Sequence, residues 1–263
     1  MKIRHRQTGE VLLEVAGDSL AGADLSGKVL LYADLPGADL RGASLKGTQF
    51  SNSDLHGARL DGAYLVDADC CSADLSRASL VGADLGYARI LATNLSGADL
   101  SRADLSRVSA IWCNLTGARL RDARLQHADL SRTQLADLDA TGADFTGTCF
   151  AYANAARAAL RGAALAECDF MSCDLAEADL RESDLARARF LDPVLRGTRF
   201  EGAMLNRTVF AFCAGLDQAT GLDDLRILGP VGLDQYTLAA CAERLPAALL
   251  EAAGAAVAVA ARR

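Results

Sequence analysis

Ala38-Asp39-Leu40-Arg41-Gly42-Ala43-Ser44-Leu45-Lys46-Gly47-Thr48-Gln49-Phe50 is one phrase repeated with a step of five. A large apolar residue stands at 40, 45 and 50, a small one two places earlier, and a polar one between them. Followed outward, the register runs back to Leu20 and forward to Phe210 without an insertion or deletion. It has thirty-nine large-residue positions, and thirty-five hold Leu, Phe or Ile. Cys70, Ala110, Ala140 and Ala155 fill the rest, all small enough to bury. A step of five matches neither the helix period of 3.6 nor the strand period of two. A short fixed repeat marks a solenoid, in which each unit covers its neighbour's apolar surface. With the small and the large residue pointing inward, two of every five side chains build the core and three face solvent.

The unit Ala-(Asp/Asn)-Leu-X-X extends over about three-quarters of the chain and resembles the pentapeptide-repeat family. The resemblance implies an all-β solenoid, a right-handed quadrilateral β-helix with one pentad per side and twenty residues per coil. The period of five is read from the residues; the number of sides comes from the resemblance. At four pentads per coil and ~4.8 Å between stacked strands, the rod is roughly 47 Å long. Glycine is common two places after the Leu, as at Gly22, Gly42 and Gly62, where the chain turns a corner. Pro193 takes a small inward position, and a kink is expected there.

Three segments follow. Residues 1–17 form an N-terminal cap, a hairpin around Thr8-Gly9, with Leu13 and Val15 already on inward positions. Residues 18–214 are the β-helix. Residues 215–263 lose the period and form a small C-terminal α-helical cap: a helix over Asp234 to Arg244 with Asp234 as N-cap, and a second opened by Pro246 and running into the Ala-rich end. This segment either covers the end of the rod or exposes an apolar helix for dimerisation. Some family members pair two rods through their C-terminal helices, so the resemblance supports both roles.

Composition narrows the function. The net charge is −7 and the isoelectric point about 5.0, which disfavours direct nucleic-acid binding, because phosphate contacts need basic surface. The eight Cys form no C-x-x-C pair and read as reduced apolar filler. No secretory signal follows Met1, no apolar run is long enough to span a membrane, and a cytoplasmic location is expected. Gly22 to Lys28 copies the glycine and lysine spacing of a phosphate loop, but Val29 stands where its Ser or Thr belongs. His5, His56 and His127 have no metal-ligand spacing. No catalytic group, cofactor or metal is expected, and the chain does not read as an enzyme.

Function then lies on the surface. Residues twenty apart become vertical neighbours if the four-sided register holds. One side collects nine large apolar residues in the two positions after the core residue: Leu31, Tyr32, Leu91, Ile111, Trp112, Tyr152, Met171, Leu191 and Phe212. The other three sides together offer Val66, Val81 and Tyr87. Such a strip is either covered by the caps or is a protein interface centred on Leu91, Ile111 and Trp112. A second column, just before the core residue, reads Asp34, Asp54, Asp74, Asn94, Asn114, Gln134, Asn154 and Asp174, with no Arg. It is either a hydrogen-bonded amide ladder or part of an acidic surface. The first functional expectation is a non-enzymatic protein-binding rod, a homodimer with a further partner unspecified. The alternative is implied by the resemblance: some family members imitate DNA in width and charge, bind DNA gyrase or a related topoisomerase, and confer quinolone resistance. Arg41, Arg121, Arg161 and Arg181 along one side interrupt the negative surface such imitation needs.

Overall fold

The structure is a computed structural model and describes residues 1–254. The pentad around Leu95 shows how five residues make a unit. Thr93 and Leu95 are buried, and Asn94 between them pairs in parallel with Asp74 on one side and Asn114 on the other. The Ala98 N–H donates to the Leu95 carbonyl at 3.0 Å, closing a β-turn over Ser96 and Gly97. Gly97 has φ +65°, the left-handed value that the second central residue of a type II turn requires. The same turn recurs through the repeats, so the chain changes direction every pentad. Parallel pairing joins residues twenty apart from Asp24 and Ser44 through Asp184 and Met204. Each coil of this β-solenoid therefore has four short walls and four corner edges.

Two side-chain devices hold the corners. Asp99 Oδ1 accepts the Ser101 N–H at 3.0 Å, and Asp104 Oδ1 accepts that of Ser106 at 2.9 Å. Asp and Asn side chains favour this bond to the backbone two residues on, which is why they dominate the slot before the Leu. At the small inward slot, a buried hydroxyl costs stability unless bonded. Thr48, Thr93 and Thr133 donate to the carbonyls of Leu25, Cys70 and Ala110 in the adjacent coil, at 2.7, 2.7 and 2.8 Å. Buried Cys113 and Cys168 sit in that slot too, against the carbonyls of Ile90 and Phe145. Burial pushes the Cys70 and Cys113 thiols up to about 12, so they stay protonated. All eight cysteines are free.

The large inward residues stack up the axis. Phe150, Phe170, Phe190 and Phe210 form a column with ring centroids 4.9, 4.8 and 4.8 Å apart and nearly parallel planes. Pro193 is buried in its slot, and the expected kink is absent: Asp174 still pairs with Val194, and Arg189 with Val209. What the proline removes is the N–H that would close that corner turn.

At the N-terminus, β1 (Lys2–His5) and β2 (Val11–Glu14) form the expected hairpin, but not in the repeat register. Leu13 and Val15 stay partly exposed, and Ile3 enters the core instead. β1 runs antiparallel to β3 (Ala33–Asp34), occupying the edge that a preceding coil would have used. An unpaired edge would otherwise template association.

At the other end the spacing drifts. β4 (Arg189–Leu191) still pairs with β6 (Val209–Ala211) at twenty residues. Arg199 pairs with Thr220, a spacing of 21. β5 (Met204–Leu205) pairs with β7 (Arg226–Ile227) at 22, and β6 with β8 (Gly232–Leu233) at 23. Short 3-10 turns at Leu216–Gln218 and Leu222–Asp224 take up the extra residues. Helix α1 (Gln235–Cys241) starts at Asp234, whose carboxylate accepts the Thr237 N–H at 2.9 Å. Its buried residues are Thr237 and Cys241, with Leu238 only partly covered. Helix α2 (Ala247–Ala252) has Pro246 one place before its first residue and buries Leu249 and Leu250 in the chain's own core. The continuation expected toward Ala261 lies outside the described residues. Among the described residues no helix is long and apolar enough to cross a membrane.

Candidate interface on one edge of the solenoid

The nine apolar residues do not lie on a wall. They occupy the β-turn between the wall of residues 28–30 and the wall of residues 33–35, and so form a corner edge. Its second turn position reads Tyr32, Asn52, Ser72, Ala92, Trp112, Arg132, Tyr152, Ser172, Asp192 and Phe212. Every one of these has φ between 49° and 63°. Side chains in that region cost roughly 1–2 kcal/mol each. The equivalent position on the edge of Gly22, Gly42, Gly62 and Gly82 is mostly glycine, which bears no such cost. This edge has none.

The strip is not continuous. Ser51, Asn52, Cys71 and Ser72 separate Leu31 and Tyr32 from the rest. The N-terminal hairpin covers that end: His5 stacks on Tyr32 with centroids 5.2 Å apart, and the Arg6 N–H donates to the Tyr32 carbonyl at 2.7 Å. The structure thus divides the nine into Leu31 and Tyr32 under the hairpin and seven residues beyond the polar gap.

Those seven fall into a ridge and a groove. Leu91 and Ile111 are half-buried neighbours on paired coils, the Ala92 N–H donating to the Ile111 carbonyl at 3.0 Å. Next to Ile111, Trp112 is 63% exposed, and Tyr152 two coils on is 49% exposed. Between them sits Arg132, its guanidinium carbon 5.1 Å from the Trp112 ring centroid and 4.8 Å from that of Tyr152. A guanidinium flanked by two ring faces is attracted to both. Arg132 is polar and so does not show among the apolar side chains of this column, although its spacing of twenty from Trp112 and Tyr152 marks it. Further along, Met171, Ser172, Leu191, Asp192 and Phe212 join Tyr236 of α1 around an open groove of about 460 Å³. Phe212 stays 52% exposed although Tyr236 packs on it at 5.6 Å and its N–H bonds Asp234 at 3.2 Å. Tyr236 lies outside the five-residue register, so spacing alone did not point to it.

The neighbouring wall carries the amide column. Asn94 Nδ2 donates to Asp74 Oδ1 at 3.1 Å, Asn114 to Asn94 at 3.5 Å, and Asn154 to Gln134 at 3.2 Å. The Oδ1 atoms of Asp74, Asn94, Asn114, Asn154 and Asp174 each brace the corner N–H two residues on. Asp54 does this for His56 and also contacts its ring at 2.8 Å; burial opposes the charged carboxylate, but these bonds outweigh it and leave the carboxyl below its usual range. Asp34, at the hairpin end, faces β1. Elsewhere arginines sit on carboxylates. The Arg41 guanidinium on Asp39 holds that carboxyl down at about 2. Arg121 meets Asp139 at 2.6 Å, Arg161 meets Glu182 at 2.7 Å and Arg181 meets Asp179 at 2.5 Å.

A β-solenoid built of pentads, with one edge given over to large side chains, is a repeat protein whose exposed features lie along its length. The sequence model described as Pentapeptide repeats matches residues 19–57, 53–89, 92–122, 113–151, 153–192 and 173–211, and the chain belongs to that family. Among solved structures it is similar to HetL, a pentapeptide repeat protein involved in heterocyst differentiation regulation from the cyanobacterium Nostoc sp. strain PCC 7120. The identity is 27%, over 81% of this chain and 90% of that one, with a TM-score of 0.40. It is also similar to a trypsin-treated form of QnrB1, a plasmid-mediated fluoroquinolone resistance protein, at 20% identity over 70% of this chain and 89% of that one, with a TM-score of 0.50. At that identity the second likeness speaks for the fold alone. No curated protein matches the chain.

Proposed function

We propose that this chain is a non-enzymatic protein-binding rod that works through the edge of Leu91, Ile111, Trp112 and Tyr152 and associates with itself. In this reading residues 18–214 are a right-handed, four-sided β-helix, residues 1–17 and 215–263 are its caps, and its place is the cytoplasm, in keeping with eight free cysteines. The observation that carries the proposal is the open Trp112–Arg132–Tyr152 ridge. Along this edge the hairpin reaches Tyr32 and, through Arg6, the Asn52 carbonyl, while Tyr236 of α1 lies at the groove beyond Tyr152, and Trp112 and Tyr152 stay exposed between them. An exposed Trp beside Arg and Tyr is the composition of an interface centre. Trp112→Glu is expected to reduce the sedimentation coefficient of the concentrated protein or to abolish retention of partners on a column of the immobilised chain. No change in either measurement removes the proposal.

A second reading, a DNA-imitating binder of DNA gyrase or a related topoisomerase, draws on the net charge of −7 and on the arginine-free run Asp34, Asp54 and Asp74. The arginine–carboxylate pairs on the other walls weaken the field it needs. A supercoiling assay decides: no inhibition or protection of gyrase at micromolar protein eliminates this reading.

A further inference from the structure

The ridge and the groove lie on the same edge, three coils each, one directly after the other. Trp112, Arg132 and Tyr152 rise as three tiers. Ser172, Asp192 and Phe212 with Tyr236 are the three tiers that follow. A two-fold axis perpendicular to the rod, passing between the coils of Tyr152 and Ser172, exchanges the two sets. The coil of Trp112 then meets that of Phe212, the coil of Arg132 meets that of Asp192, and the coil of Tyr152 meets that of Ser172.

We propose that two copies of this chain pair side by side and antiparallel through this edge, the ridge of each seated in the groove of the other. The inference rests on the reading of this edge as a protein-binding surface, and it names the occupant. Three observations carry it. The first is charge. Arg132 is exposed, with its guanidinium between two rings and no carboxylate on it among the described residues, and Asp192 is the exposed carboxylate of the groove. A parallel pair would set Arg132 against Arg132 and Asp192 against Asp192, and like charges in an interface are disfavoured. The second is size. In the first turn position the dyad matches Ile111 with Ala211, Ser131 with Leu191, and Ala151 with Met171, a large residue against a small one each time. The third is form. Isologous contact demands that one surface hold both halves of the match, and the groove, at about 460 Å³, is on the scale of pockets that hold ring-sized groups, roughly 300–1,000 Å³. From the coil of Trp112 to that of Phe212 the strip runs about 24 Å at ~4.8 Å per coil. It is narrow beside a standard interface of about 800 Å² per partner, so the pairing is expected to be concentration-dependent.

The test is sedimentation velocity over a concentration series, with Trp112 emission recorded in parallel, since it is the only Trp in the chain. Wild type is expected to shift from monomer to dimer, with emission moving to the blue as the indole leaves water. Arg132→Asp and Asp192→Arg are each expected to weaken the dimer roughly tenfold or more. The double exchange is expected to bring it back. Both positions are exposed corner residues, and thermal melts verify that each variant folds. A wild type that stays monomeric at about 100 µM overturns the proposal, as do single variants that dimerise normally or a double exchange without rescue. If Trp112→Glu disrupts the dimer while the charge exchange has no effect, the edge remains an interface with another geometry. If all the variants behave as wild type, the reading of the edge falls as well.

Discussion

Two corner edges of the same solenoid treat the same backbone problem in opposite ways. The edge of Gly22, Gly42, Gly62 and Gly82 meets the left-handed turn position with the residue that adopts it freely. The edge of Trp112, Arg132, Tyr152 and Phe212 meets it with large side chains at φ values of 63°, 59°, 60° and 56°. The fold accepts both, because the parallel ladder and the inward Leu define the corner whichever residue turns it. The first edge is shaped for folding. The second gives up some backbone ease to display side chains, and such cost tends to gather at functional surfaces.

The largest expected effect tests the frame that both edges share. Leu100 is fully buried, and Leu100→Ala should cost about 2–5 kcal/mol by leaving a cavity. Ser101→Ala, one residue on at a corner, should stay within about 0.5 kcal/mol. Thermal or urea unfolding of both variants checks this, and equal losses would mean that the inward assignment is wrong. The comparison itself is sharpened by exchanging residue types. Gly42 has open space around it, so Gly42→Ala carries only the backbone penalty, about 1 kcal/mol. Trp112→Gly should leave stability within about 1 kcal/mol, because relief of the strained corner offsets the lost contact with Arg132, while abolishing self-association. A strong loss of stability in Trp112→Gly would make Trp112 a structural residue and break the contrast. Arg132→Ala is a smaller change, about 0.5–1 kcal/mol, and acrylamide quenching of Trp112 emission should increase as the ring loses its cover.

Acid gives the smallest and most diffuse effect. The carboxyls of Asp39 and Asp179 are held below their usual range first by their arginines, and that of Asp39 lies at about 2. A depressed folded-state value means that the contribution is present above the unfolded value of 3.8 and is lost as pH falls toward about 2. Melting temperature should therefore be flat near neutrality and fall between pH 4 and 2. Asp39→Asn should flatten part of that fall, and an unchanged acid slope would show that the pair is not coupled to folding.

Most of the fold was legible because a single period dictates it. Leu at every fifth place and a small residue two before it were enough to assign the inward positions, which Leu100 and Thr93 illustrate. The hairpin was legible from Thr8-Gly9, but its docking was not. Ile3 reaches the core because β1 pairs with a strand some thirty residues away, and local spacing says nothing about that. Pro193 misled because the corner tolerates loss of one turn hydrogen bond without shifting the ladder. Composition alone shows the Asp and Asn of the polar slot but not their task, which at Asp99 and Asp104 is to brace the backbone at the corner. The edge was found through its apolar members, while Arg132 and Tyr236, which complete the ridge and the groove, were missed. One is polar and owes its role to neighbours twenty residues off in each direction. The other stands beyond the last regular coil.

Four pentads to the turn also make changes of chain length come in quanta. Adding twenty residues after Tyr152, or losing residues 153–172, lengthens or shortens the rod by one tier and leaves every later side chain at its former compass bearing. Adding five rotates everything downstream by a quarter circle, and Phe212 then looks away from the direction Trp112 faces. Gene duplication can thus stretch such a molecule freely only in whole turns, and any other increment rewrites its surface.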